Sequence, residues 1–255
     1  MFRSLLSGLL LVGLPLIAFA QASDQQVIDL QGASVVNIET SYSSVSVTTG
    51  GNAAVTVNHV LTANGEDRPD LRKLEVVREN GAINIREVKP TVKLLRKEFP
   101  GDGRNIQSGK RYGGKGTFNG NLVDANLKVV VPPGVKVSVK TEYGSIIVTD
   151  VPGLVGARAT YGSVDIIFTG NPKLADIDLY SNYGAVDVTL PANYSADLDL
   201  TTQYGDLLTD LDIAINEADS EEKNFYQRVV GTLGDGGSRL RCEAPYGNVY
   251  LRAGR

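Results

Sequence analysis

Tyrosine–glycine pairs recur down the second half of the chain. Tyr143, Tyr161, Tyr183 and Tyr204 are 18, 22 and 21 residues apart, and Tyr246 lies a further 42 on, twice 21. Phenols can do recognition chemistry: the ring buries against apolar faces and the hydroxyl donates or accepts a hydrogen bond. Stacked one strand apart, Tyr143, Tyr161, Tyr183 and Tyr204 would make a strip about 14 Å long at ~4.8 Å per step, suited to sugar rings or to another protein. The competing expectation is that such rings only pack on one another and shield a corner.

Carboxylates form the second set. Five and seven residues before two of the tyrosines stand Asp178 with Asp176, and Asp199 with Asp197. The spacing predicts that they point outward on neighbouring rungs, where like charges destabilise a sheet unless solvent screens them or a cation such as Ca²⁺ bridges them. Asp165 and Asp187, four after their tyrosines, form a similar outward pair. Paired carboxylates with Arg158 nearby are also what a glycan-cleaving site would use. The pattern runs almost unbroken from 135 to 209, however, leaving no loop long enough to wall a cleft, so no catalytic residue is assigned.

The remaining chemistry is sparse. With one histidine, one cysteine and no tryptophan, a zinc site built from His and Cys is close to excluded. A Ser-His-Asp triad would have to use His59, which closes the strand-like AVTVNHV and reads as an ordinary strand-end or surface histidine. Cys242 falls in a core column and reads as a small buried hydrophobe. Gly109, Gly114 and Lys115 nearly match a phosphate-binding loop but lack the following Ser or Thr, a preceding strand and a helix start. No cofactor is expected.

The elements that must position these groups follow from periodicity. Four and six residues before each tyrosine the side chain is mostly apolar (Ile38 and Val36, Val139 and Val137, Ala157 and Val155, Leu179 and Ile177, Leu200 and Leu198, Cys242 and Leu240). Three and five after it, the same holds (Val45 and Val47, Ile146 and Val148, Val164 and Ile166, Val186 and Val188, Val249 and Leu251). Alternation means two half-buried strands per unit, and the parity change between them puts a bend at the glycine, where a positive φ costs little. Tyr42, followed by Ser43 in place of glycine, opens an earlier degenerate copy. A unit this short cannot bury its own face, so stacking is required. The fold expected is all-β: a parallel β-solenoid or β-roll of about 21-residue rungs, with a less regular antiparallel N-terminal part that includes a hairpin at Asn80-Gly81.

Residues 1–22 read as a secretory signal peptide and 23–255 as one domain. A basic, glycine-rich surface loop is expected at about 90–122; its Tyr112-Gly113 does not fit the repeat. An irregular acidic rung is expected at about 206–224. The formal charge of −4 and a pI near 5.2 argue against nucleic acid as a partner. No later apolar run is long enough to span a membrane.

The rungs TEYGSIIV, ATYGSVDI, SNYGAVDV and APYGNVYL, the export signal and the closing GTLGDGGSRLRCEAPYGNVYLR resemble the bacterial family known as the putative adhesins, related to the head domains of autotransporter adhesins. The resemblance covers roughly 30–255. It implies a β-solenoid of an exported protein and adhesion as a label, with no catalytic residues to carry over; tyrosine here takes a position where Asn or a small residue is more usual. The function expected is therefore an exported, non-catalytic adhesin-like binding or scaffold protein, engaging glycan or a cell-envelope protein through the tyrosine column, in the periplasm, at the cell surface or secreted. The alternatives are a purely structural or envelope-signalling partner and a carbohydrate-active β-helix enzyme.

Overall fold

The computed structural model describes residues 25–51, 53–98, 106–107, 115–118, 121–170, 173–191 and 193–254. The segment 1–22 expected to be a signal peptide, Tyr112-Gly113 and the phosphate-loop near miss as far as Gly114 lie outside them.

The first third of the chain contributes β1 (Gln25–Asp29), β2 (Val35–Thr40), β3 (Ser44–Thr49), β4 (Ala54–Ala63), β5 (Glu66–Asp67), β6 (Leu74–Glu79), β7 (Ala82–Glu87) and a short helix α1 (Val92–Glu98). Then come β8 (Ile106–Gln107), β9 (Lys115–Phe118), β10 (Asn121–Val131), β11 (Lys136–Thr141), β12 (Ile146–Thr149), β13 (Leu154–Ala159), β14 (Val164–Ile167), β15 (Ile177–Ser181) and β16 (Val186–Leu190). The last part supplies β17 (Ala196–Thr202), β18 (Leu207–Thr209), β19 (Ala214–Ile215), β20 (Glu221–Lys223), β21 (Tyr226–Leu233), β22 (Arg239–Ala244) and β23 (Val249–Ala253). The segment expected as a plain loop at 90–122 thus carries α1, β8 and β9.

The fold is all-β, in two mixed sheets. One runs β1-β4-β10-β3-β12-β14-β16-β23-β18, with β5, β8 and β9 beside it; the other runs β19-β21-β17-β22-β15-β13-β11-β2-β7-β6, with β20 against β21. Each strand before a tyrosine lies in the second sheet and each strand after it in the first. The pairing places like on like: Ile38 opposite Val139, Val139 opposite Ala157, Ala157 opposite Leu179 in one sheet, and Val45, Ile146, Val164, Val186 and Val249 in line in the other. These side chains are almost wholly buried and share one core between the sheets. Alternation explains why: each strand sends every second residue inward, where burial of a Val or Ile contributes about 1.5–3 kcal/mol. Antiparallel pairing is confined to the two ends: at one, β1, β4 and β10 close the first sheet and β6 turns back on β7 through Asn80-Gly81; at the other, β21 pairs with β17.

Three expectations change. Val155 is not core: a register shift between Val137 and Ser138 lets Leu154 pair with Val137 and take the buried place, leaving Val155 half-buried. The unit around Tyr204 does not follow that of Tyr183. Instead β22 pairs with both β15 and β17, and β23 with both β16 and β18, so the last unit of the chain lies between two earlier ones. The acidic stretch expected as one irregular rung at about 206–224 is divided between the two sheets. Its β18 stays in the first sheet, while β19, β20 and β21 form an antiparallel meander whose β21 covers the edge of β17. That meander supplies the end cover a sheet edge needs.

Candidate functional site

The corners between paired strands bring the tyrosines into one line. Ring centroids are 5.6 Å apart from Tyr42 to Tyr143, 5.0 Å to Tyr161, 5.2 Å to Tyr183, 5.1 Å to Tyr246 and 5.0 Å to Tyr204, with interplanar angles of 5–18°. The row is roughly 25 Å long, and Phe225 prolongs it, tilted by 37° at 5.8 Å from Tyr204. Tyr143, Tyr161 and Tyr183 therefore stack as the spacing predicts, but Tyr204 follows Tyr246, and Tyr42 begins the row. The separations fall in the range of offset-stacked aromatic pairs, each contributing about 0.5–1.5 kcal/mol. Every ring is also 40–59% exposed. Faces inside the row look at neighbouring rings, so what the row presents outward is ring edges and hydroxyls.

Backbone bonding fixes the spacing. The N–H of Tyr143 donates to Ser41, that of Tyr161 to Glu142, of Tyr183 to Thr160, of Tyr246 to Asn182 and of Tyr204 to Pro245, each at 2.8–3.0 Å. The glycine that follows is required for a reason other than φ. None of Gly144, Gly162, Gly184, Gly205 and Gly247 has a positive φ; a Cβ on any of them would overlap the backbone carbonyl of the neighbouring corner. Small hydroxyl residues two before the tyrosine lock the arrangement: Gly184 N–H donates to Ser181 Oγ, which donates to the Gly162 carbonyl at 2.7 Å.

At the first corner the neighbouring carbonyls are replaced by one carboxylate. Glu87 Oε2 accepts the N–H groups of Ser41, Tyr42 and Ser43 at 2.6, 2.8 and 3.2 Å. Its Oε1 accepts from Ser43 Oγ at 2.7 Å. His59 Nε2 is 3.1 Å from the same Ser43 Oγ and 3.6 Å from Glu87 Oε1. All three side chains are buried, so His59 is an interior residue and not the surface or strand-end histidine expected. Burial would push the Glu87 carboxyl up, but the bonds from His59, Ser43 and the backbone outweigh it and hold the group at about 2. This trio is not a nucleophile relay, because serine and carboxylate both sit on the Nε2 edge and Ser43 has no exposed surface.

The acidic columns are not adjacent. Arg241 of β22 stands opposite both Asp178 and Asp199, and Arg239 opposite Asp197, so the expected neighbouring-rung pairs are separated by cations. Asp199 is further bound by Arg228 through two bonds of 3.0 and 3.1 Å, and Asp176 accepts the Arg239 N–H at 3.0 Å. Among the described residues no three acidic, imidazole or thiol groups converge to hold a metal ion. Asp165 and Asp187 do lie side by side; burial pushes the Asp165 carboxyl up, Ser163 opposes this, and Arg252 pairs with Asp187 at 2.8 Å. The Cys242 thiol is enclosed and its pKa is raised by burial, which removes thiolate reactivity.

A recess of about 300 Å³ lies among the connections around Leu174, Tyr194 and Ser238, and no carboxylate lines it. No helix of the described residues is long and apolar enough to cross a membrane.

The crystal structure of a putative cell adhesion protein from Clostridium sporogenes ATCC 15579 superposes with a TM-score of 0.58 over 90% of this chain and 99% of that one, at 9% sequence identity. The likeness is one of fold. No protein-family model and no curated protein sequence matches the chain.

Proposed function

We propose that the chain is an exported, non-catalytic, adhesin-like binding protein whose paired units form the coils of a β-solenoid and whose tyrosine row binds an extended glycan. The observation that carries this reading is the line of six half-exposed phenols at 5.0–5.6 Å intervals. A peptide strand lying along it would present side chains about 6.6 Å apart and fall out of step. A β-linked pyranose chain advances by about one ring spacing per sugar, so successive hydroxyls stay in reach of successive phenols. Support also comes from the signal-peptide pattern of residues 1–22 and from the fold shared with a protein described as a cell adhesion protein. Both favour a site of action in the periplasm, at the cell surface or outside the cell.

The face-to-face stacking favours a second reading, a structural or envelope-signalling scaffold in which the rings only stiffen the corner. Replacing Tyr143, Tyr161 and Tyr183 by Phe separates the two, because it keeps the stack and removes the hydroxyls. On an array of β-linked oligosaccharides including chitohexaose and cellohexaose, the triple Phe variant is expected to lose binding about tenfold or more while its Tm stays within ~3 °C of wild type. Unchanged binding of a glycan, or no glycan binding by the wild type, sinks the glycan reading.

A further inference from the structure

The residue that ends the aromatic row does not belong to the repeat. Phe225 is the second residue of the two-residue turn between β20 and β21, where Lys223 pairs with Tyr226. Its φ is +61°, a region that disfavours bulky L-residues. The other non-glycine residues with positive φ among those described are Gln31, Asn64, Asn80 and Asp150, all short or polar turn formers. Phe225 is also 74% exposed, more than any other large apolar side chain described. A strained backbone and an unburied ring at one position are a cost that glycine would avoid on both counts.

Position explains what that cost serves. Inside the row both faces of each ring are taken by neighbours. Phe225 meets Tyr204 on one side only, so its other face is open at the end of the line of hydroxyls. Aromatic faces pack on the apolar C–H face of a sugar, and hydroxyl edges bond its equatorial oxygens; the row offers the second along its length and the first at its tip.

Resting on the glycan reading above, we propose that Phe225 is a terminal subsite: its free face stacks on the last pyranose of an extended β-linked chain whose other sugars run along Tyr204, Tyr246, Tyr183, Tyr161 and Tyr143. The ligand class is a neutral β-linked oligosaccharide bound end-on at Phe225, and the hairpin holds the ring out for that purpose. The surrounding charges fit a neutral ligand better than an anionic one: Lys223 in the turn is paired with Glu221, and Glu222 and Asp206 add negative charge in the turn region and its neighbouring corner.

The test uses the whole mature chain with chitohexaose and cellohexaose as probes, in titration calorimetry. Phe225→Gly is expected to weaken binding about tenfold with Tm within ~3 °C of wild type, because lost stacking on Tyr204 is offset by relief of the backbone. Phe225→Trp is expected to restore wild-type affinity. Shortening the probe to the disaccharide is expected to keep the difference between Phe225→Gly and wild type, because its end sugar still reaches Phe225. Wild-type affinity in Phe225→Gly, failure of Trp to rescue, or a Tm lower by more than ~3 °C, which would make the ring a structural end-piece, overturns the subsite. If those results occur while the Tyr143, Tyr161, Tyr183 triple Phe variant still loses binding, the glycan reading stands and only the subsite falls; if the triple variant binds like wild type, both fall.

Discussion

Glu87 does at the first corner what a backbone carbonyl does at every later one. From Tyr143 onward each tyrosine N–H in the row finds a carbonyl of the preceding unit in the stack; Tyr42 has none, and with Ser41 and Ser43 it finds Glu87 Oε2 instead. The same geometry explains why Ser43 replaces glycine: with no preceding corner there is room for a Cβ, and its Oγ becomes another donor to the carboxylate. The carboxyl is held at about 2 against an ordinary 4.5, so its contribution is full above pH 4.5 and is lost as pH falls toward 2. That difference corresponds to about 3 kcal/mol. Glu87→Gln should therefore be less stable than wild type by about 3 kcal/mol at pH 7 in urea unfolding, with the gap closing between pH 4.5 and 2. A gap independent of pH would show that the charge is not what holds the corner. None of this was legible in the sequence, because Glu87 stands more than forty residues from the corner it serves and carries no motif. The tyrosines were legible because their signal is local and repeated.

At the scale of the strands, alternation and the parity change at Tyr-Gly are sufficient to give two half-buried strands per unit and most of their inward residues. What periodicity could not supply is the reason for the glycine. Left-handed backbone was the expectation; the corners instead have ordinary φ and need glycine because the next carbonyl occupies the space of a Cβ. A similar limit hid the bulge at Val155, since Leu154 and Val155 are equally apolar and only pairing with Val137 decides which turns inward. The difference between the two glycine explanations is testable. Gly162→Ala should cost about 3 kcal/mol or more, because the Gly144–Ser145 backbone of the neighbouring corner must move. Gly170→Ala, where nothing lies within 4 Å, should stay within about 0.5 kcal/mol. Thermal or urea unfolding of the pair decides it, and equal effects would return the corners to a φ argument.

For the molecule as a whole, the chain order and the stacking order disagree at one place, and opposite charges face each other there. If β17 docked directly on β15 in the register that β22 now mediates, Asp199 would face Asp178 and Asp197 would face Asp176. The last unit prevents this by placing Arg241 and Arg239 between them. Facing carboxylates cost about 0.2–1 kcal/mol per pair on a sheet surface, a modest sum that is decisive only if the arginine strand is absent. A chain ending at Gly237 removes β22 and β23, and so removes an interior layer and not an end. The units up to β16 keep their pairing with one another, whereas β17 retains only the β21 meander and β18 loses its strand partner β23. Hydrogen exchange on the truncated chain should show residues 196–233 unprotected while strands from β2 to β16 remain protected. Adding Asp197→Asn and Asp199→Asn to the truncation should restore part of the protection in β17 by allowing it to close onto β15. Protection of 196–233 in the unmodified truncation would mean that hydrophobic stacking alone sets the order, and that the arginines of β22 have no part in holding the final unit between its neighbours.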